Sequence, residues 1–466
     1  MTTLDPDRLL PADPGTRAVA RELYAAVAEA PILSPHGHVP AGLLLEDRPF
    51  GDPAELFITR DHYVTRLLHA HGVGLPALGV GSGADPREVW RIFAEHADSF
   101  AGTASAYWIR DELATVFGIE ETVDAASADR IHDEIAARLA EPAFRPRALF
   151  DRFRIEVLAT TDDPLDDLAA HAALRADPAF RGRVLPTFRP DRYLDPDAIG
   201  FPDAVDRLLG ETGERERFDG YLRALQQRRE HFLAHGAVSL DIGVAEPWTL
   251  DLDSAEASAL FDRVRAGDAG PADRRAFRGH MLLQMARMSV EDGLVMTLHA
   301  GVLRNHSSAT LAAYGPDTGH DIPVATEYTR GLRPLLERYG LEPGFHLVLF
   351  AVDETVYSRE LAPLAGFYPS VFIGAPWWFL DAPDAIQRWR SAITETAGFF
   401  RTSGFIDDTR AFLSIPARHD AARRADSGFL ARSVREGRID LPTAERIARA
   451  LVDDVPRRTF KLGGPR

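Results

Sequence analysis

Two histidines stand two residues apart at the end of an apolar run, in Ala30-Pro31-Ile32-Leu33-Ser34-Pro35-His36-Gly37-His38. On an extended strand, residues i and i+2 project from the same face, so both imidazoles can converge on one metal ion. Two neutral imidazoles and one carboxylate, with positions left open for water or substrate, form the usual cage of a catalytic divalent cation. Asp408 is the natural carboxylate if the last strand closes against the first. A histidine pair seen in isolation is more often a structural feature than a metal site, so the pattern of the remaining chain has to decide.

The elements needed to position such a set are legible as short β-type runs. After the first run come 155–160, 183–188, 237–240, 294–298, 346–350, 370–373 and 403–406, which makes eight, with helical stretches or long connections between them. Alternating strands and helices indicate a parallel sheet, and eight strands suit a closed (β/α)8 barrel of α/β class. An open doubly wound sheet is the alternative, but no glycine-rich phosphate loop follows the first strand. Between residues 41 and 150 apolar residues recur only at helical spacing. The expected organisation is therefore a barrel of residues 1–40 and 151–466 with an all-helical insertion, 41–150, after strand 1. The Pro/Gly-rich end Leu462-Gly463-Gly464-Pro465-Arg466 is expected to fray.

In such a barrel the catalytic groups follow the strands. The residues in that position are His36 and His38, Thr161-Asp162-Asp163, Arg189-Pro190-Asp191, Asp241, His299, Asp353, Trp377-Trp378 and Asp407-Asp408-Thr409-Arg410. Asp162, Asp163 and Asp191 serve equally well as helix N-caps, and at least one of the tryptophans is expected to fill the core.

Composition narrows the chemistry. A net charge of −17 argues against nucleic acid and anionic membrane surfaces as partners. No run reaches the length of a membrane span and no signal segment is apparent, so a cytoplasmic enzyme is expected. There is no cysteine, which excludes thiolate metal sites and cysteine nucleophiles. Lys461 is the only lysine. Its place near the C-terminus disfavours Schiff-base, pyridoxal-phosphate and P-loop chemistry, and a two-metal site bridged by a modified lysine.

The order of several stretches carries a resemblance. They include His36-Gly37-His38, Asp61-His62-Tyr63, Thr160-Thr161-Asp162-Asp163-Pro164, Phe188-Arg189-Pro190-Asp191, Leu298-His299 with Leu303-Arg304-Asn305, Gly315-Pro316-Asp317-Thr318-Gly319, Trp377-Trp378-Phe379, Asp408-Thr409-Arg410 and Arg418-His419. Together they resemble the uronate isomerase (glucuronate isomerase) family of the amidohydrolase superfamily, over nearly the whole chain. It departs from the family pattern at Ser34, Asp241-Ile242 and Val352-Asp353, and so reads as a divergent member.

The resemblance implies a TIM-type metal-dependent hydrolase barrel. It also implies interconversion of aldose and ketose uronates, D-glucuronate with D-fructuronate or D-galacturonate with D-tagaturonate. One divalent ion, expected to be zinc, would be held by His36, His38 and Asp408. Moving a carbonyl from C1 to C2 requires proton transfer through an enediolate. Tyr63, His62, Asp408, Arg410 and His299 are the expected catalytic groups; Asp408 doubles as ligand. Arg189, Asp241, Arg304 and Trp378 are expected to bind substrate, the arginines because a planar fork pairs with a carboxylate. For Arg304 a structural pair with a nearby acid is the competing reading, and His299 is a metal ligand in several relatives of the superfamily. The expected partner is a small sugar acid, and the chain is expected to form a homo-oligomer. A hydrolase acting on an amide, ester or lactone is the alternative; it would have no need of Tyr63 or Arg410.

Overall fold

The computed structural model describes residues 4–463. Seven strands run parallel in two sheets. β1 (Ile32–Ser34), β2 (Ile155–Ala159) and β3 (Arg183–Leu185) form one, and β4 (Ser239–Val244), β5 (Val295–Ala300), β6 (Leu347–Ala351) and β7 (Val371–Ile373) form the other, each in chain order. Single bridges join the sheets: Asp162 pairs with Phe188, and Phe188 with Leu240. The ring closes where Ile373 bridges Thr402 and the His38 amide donates to the Thr409 carbonyl at 3.0 Å. The result is the (β/α)8 barrel.

The eighth run is not a regular strand. The 403–406 segment lies beside β7 through the Ser403 amide, which donates to Ile373 O at 2.9 Å. Gly404 then takes φ +72°, and the Ser403 hydroxyl donates to the Gly404 carbonyl while accepting from the Ala375 amide. A left-handed residue cannot continue a ladder, so pairing stops after one bridge.

Strand period explains why chemistry points inward. In β5, Val295 belongs to the apolar cluster inside the barrel, whereas Met296, Leu298 and Ala300 pack outward against the helices. His299 shares the parity of Val295, as Asp241 opposes Leu240 and Ile242 in β4, so both project inward.

Between β1 and β2 every element is helical, from Ala41–Glu46 to Pro146–Arg152. These helices share one apolar cluster with Ile32, Ile155, Val184, Phe412 and Leu413 of the barrel. At the other end of the barrel, Phe460 and Leu462 lie buried against Leu33, Val157, Val295, Val348 and Phe372. The expected fraying at Leu462 is therefore corrected: its side chain fills the barrel floor and its carbonyl accepts from Arg183 at 2.5 Å. Residues 464–466 lie outside the described residues.

Candidate active site

The strand ends bring His36, His38, His299 and Asp408 together. His36 Nε2 and His38 Nε2 lie 3.2 and 3.0 Å from Asp408 Oδ1, and His299 Nε2 lies 4.0 Å from Asp408 Oδ2. The His36 and His299 rings stack at 4.8 Å, and Phe350 supports His299 from below at 4.1 Å. One donor atom each from His36, His299 and Asp408 falls within 4.8 Å of the others.

These short contacts are not ordinary hydrogen bonds. Asp408 Oδ1, His299 Nε2 and His36 Nδ1 are buried without a hydrogen-bond partner among the described residues. Buried polar atoms are rarely left so. Ligand atoms held about 2.0–2.2 Å from a shared ion lie about 3 Å from one another without pointing protons at each other. The donor set therefore fits a divalent cation. Asp408 is held at φ +41°, a turn conformation that aspartate tolerates better than most residues and that aims the carboxylate back at the two imidazoles.

His299 is oriented from behind. Its Nδ1 meets Asp241 Oδ1 at 2.6 Å, an oxygen that also accepts from the Thr297 hydroxyl at 2.9 Å. Arg189 faces the other oxygen of Asp241 at 3.5 Å and donates to Asp191 at 3.0 Å. A carboxylate behind a histidine fixes its tautomer, so Nε2 is the atom presented to the mouth. Burial alone would raise the Asp241 carboxyl, but His299, His36 and Arg189 outweigh it and hold the group well below the usual carboxylate range. The same contest at Asp408, burial against His36 and His38, also leaves it well below that range.

Next to this cluster opens a cleft of about 360 Å³ lined by His38, Thr59, His62, Thr65, Asp317 and Arg410, within the roughly 300–1,000 Å³ usual for small-molecule sites. Asp61 caps the helix His62–Ala70 by accepting from the Tyr63 amide at 2.8 Å, which sets His62 and Tyr63 at its first turn. Burial, reinforced by the Arg410 charge, pushes His62 down to about 4, so its ring is neutral near pH 7. Among the described residues Arg410 makes one ion pair, a long one with Asp317 at 3.8 Å.

Other expected residues are already engaged. Arg304 pairs with Asp321 at 3.0 Å and stacks on Trp378 at 4.8 Å, the structural pair that was the competing reading. Trp377 and Trp378 are both buried, Trp377 against His299 and Trp378 against His62. Asp162 braces the barrel by accepting from Thr160 and the Thr187 amide, and Asp163 accepts from the Leu165 amide and Tyr193. Asp353 binds the Thr355 amide. The Tyr63 hydroxyl donates to Asp381 at 3.0 Å and accepts from the Phe379 amide at 2.9 Å. Burial, then Asp381, raises it well above the ordinary tyrosine range. Sequence reasoning gave Asp381 and Phe350 no role and Asp317 only a place in a matching stretch: Asp381 lies past the tryptophans in the turn after β7, and Phe350 reads as core.

A parallel barrel with imidazoles and an aspartate gathered at its C-terminal mouth defines a protein of the metal-dependent hydrolase barrel class. Residues 14–458 match the glucuronate isomerase family model. A uronate isomerase of Corynebacterium efficiens is 52% identical over 461 residues, covering 98% of both chains. The crystal structure of glucuronate isomerase from Caulobacter crescentus superposes with a TM-score of 0.97 at 47% identity, covering 99% of this chain and 98% of that one. That of uronate isomerase from Thermotoga maritima does so at 0.93 and 28% identity, over 99% and 100%. The chain belongs to the glucuronate isomerase family.

Proposed function

We propose that this chain is a uronate isomerase that interconverts aldose and ketose uronates, D-glucuronate with D-fructuronate and D-galacturonate with D-tagaturonate among them. Besides the family membership, one observation carries the reading: His38 Nε2 lies 3.0 Å from the unpartnered Asp408 Oδ1, and His38 also lines the cleft that holds Arg410. An ion and a sugar acid would thus meet at one residue.

His36, His38 and Asp408 would hold the ion, zinc being compatible with two imidazoles and a carboxylate. Bound there, a divalent cation would supply Lewis-acid polarisation of a substrate oxygen. Arg410, which lines the cleft and is paired only at 3.8 Å with Asp317, pairs with the substrate carboxylate. Asp408 stays ionised between His36 and His38, and its place at the mouth beside both imidazoles assigns it the C2 proton. Tyr63 keeps its proton and acts as a donor rather than a base. His299, fixed by Asp241, presents Nε2 to the sugar, with Arg189 bracing that pair. Neutral His62 and Trp378 form the wall on which the ring rests, with Arg304 behind Trp378.

The test is incubation of purified protein with a panel of uronates in deuterated water, with NMR of the ketose. The expected result is ketose carrying one deuterium at C1. Absence of ketose with every uronate overturns the activity, and complete retention of the substrate hydrogen overturns the proton route.

A further inference from the structure

The turn after β7 is the most strained stretch of backbone beside the mouth. Trp378 and Phe379 follow one another at φ +24° and +66°, a region that bulky side chains rarely enter. Such a conformation persists only where surrounding bonds enforce it. The Phe379 amide donates to the Tyr63 hydroxyl at 2.9 Å, and that hydroxyl donates to Asp381 Oδ1 at 3.0 Å. Asp381 Oδ2 in turn accepts from Arg418 Nη1 at 2.6 Å.

Arg418 comes from a different part of the chain, the first turn of the long helix Ile415–Arg435. Its guanidinium lies 3.5 Å over the Trp108 ring, its Nε donates to Ser414 Oγ at 3.1 Å, and Nη1 also reaches the Asp407 carbonyl at 3.5 Å. Both Arg418 and Asp381 are buried, at 4% and 6% exposure. One ion pair therefore ties together the helix that carries Tyr63, the strained turn that carries Trp378, and the peptide just before Asp408.

We propose that Arg418 and Asp381 are positioning residues for the isomerisation: they act through Tyr63, fixing its hydroxyl and, by way of the Phe379 amide, the turn that presents Trp378. This rests on the uronate-isomerase reading. The chemistry favours an arginine over a lysine here, because a fork can hold a carboxylate and a carbonyl together while its flat face lies on an indole.

The test is a double-mutant cycle between Asp381→Asn and Tyr63→Phe, read as kcat and KM on the best uronate, with ion content and unfolding midpoint measured on each variant. Asp381→Asn should lower kcat/KM by about tenfold or more in the wild-type background, mainly through kcat, and by less than about twofold once Tyr63 is Phe. Because removing one partner of a buried pair can compromise folding, the same cycle is run with Arg418→Lys, which keeps the charge but not the fork. Multiplicative losses in either cycle, or wild-type kinetics for Asp381→Asn or Arg418→Lys, overturn the proposal. A wild-type enzyme without uronate isomerase activity overturns the proposed function instead, so the two failures are distinguishable.

Discussion

The two ends of the barrel solve opposite problems. At the floor, charged side chains are taken up in pairs: Lys461 Nζ donates to the Gly293 and Gly344 carbonyls at 2.7 and 2.6 Å, just before β5 and β6. Arg457 and Arg183 share Glu156, and the Thr459 carbonyl accepts from His346. Apolar Phe460 and Leu462 fill the space between. At the mouth, two potential ligand atoms, Asp408 Oδ1 and His299 Nε2, are buried without hydrogen-bond partners among the described residues, and Asp408, Trp378, Phe379, Asn305 and Asp317 have positive φ, as Lys461 does at the floor. What sets the mouth apart is the kind of atom left unpartnered, a carboxylate oxygen and an imidazole nitrogen side by side, and unmet capacity on such atoms is where a ligand gains most.

If that division is right, substitutions at the two ends should fail in different assays. The largest effect belongs to Asp408→Asn, which removes a ligand charge and the proposed base at once. Steady-state kinetics should show kcat lower by about a thousandfold or more, while the unfolding midpoint stays within a few degrees. An Asp408→Asn enzyme with a normal kcat would break the comparison. Next comes Arg410→Met. Losing one charged hydrogen-bonded partner costs about 1.5–3 kcal/mol, so kcat/KM for uronates should fall by about one to two orders of magnitude, and an unchanged value would remove Arg410 from carboxylate recognition.

Lys461→Met sharpens the comparison from the other side. Two charged hydrogen bonds are lost at the floor, so thermal unfolding should begin a few degrees lower, with kcat and KM unchanged. Lower activity without lower stability would show that the two ends are not separable.

The smallest effect is pH-dependent. His171 lies buried between the ends, its Nε2 2.8 Å from the Thr160 hydroxyl, and burial depresses it to about 4. The unfolded chain takes up that proton near pH 6.5, so the stability His171 contributes is complete above about 6.5 and is lost as pH falls toward 4. Unfolding midpoints of His171→Asn should therefore fall less steeply between pH 6.5 and 4.5 than those of the wild type, and parallel curves would contradict the assignment.

How much of this was legible in the sequence follows from the reach of each signal. The strand runs, the inward parity of His299 and Asp241, and the pairing of His36 with His38 are local and survive in the amino-acid order. Asp408 was reachable only through barrel closure. The eighth run reads as a strand because Phe405 and Ile406 are apolar, yet Gly404 and the Ser403 hydroxyl interrupt its ladder, a backbone effect that composition does not reveal. Leu462 sits in a Pro/Gly-rich tail whose burial depends on a floor built by five other strands. Arg304 and Arg410 look alike in sequence, and only the placement of Asp321 and Asp317 separates a committed guanidinium from a freer one.

The central claim is that the donors gathered at the mouth hold the ion on which isomerisation depends. The most direct measurement is metal analysis together with uronate isomerase activity on the wild-type protein, on the chelated and reloaded protein, and on His36→Ala. The expected result is one divalent ion per chain, activity that falls and returns with that ion, and an ion-poor, inactive His36→Ala. Equal stoichiometric occupancy in His36→Ala and wild type, or full activity in the ion-free protein, would contradict it.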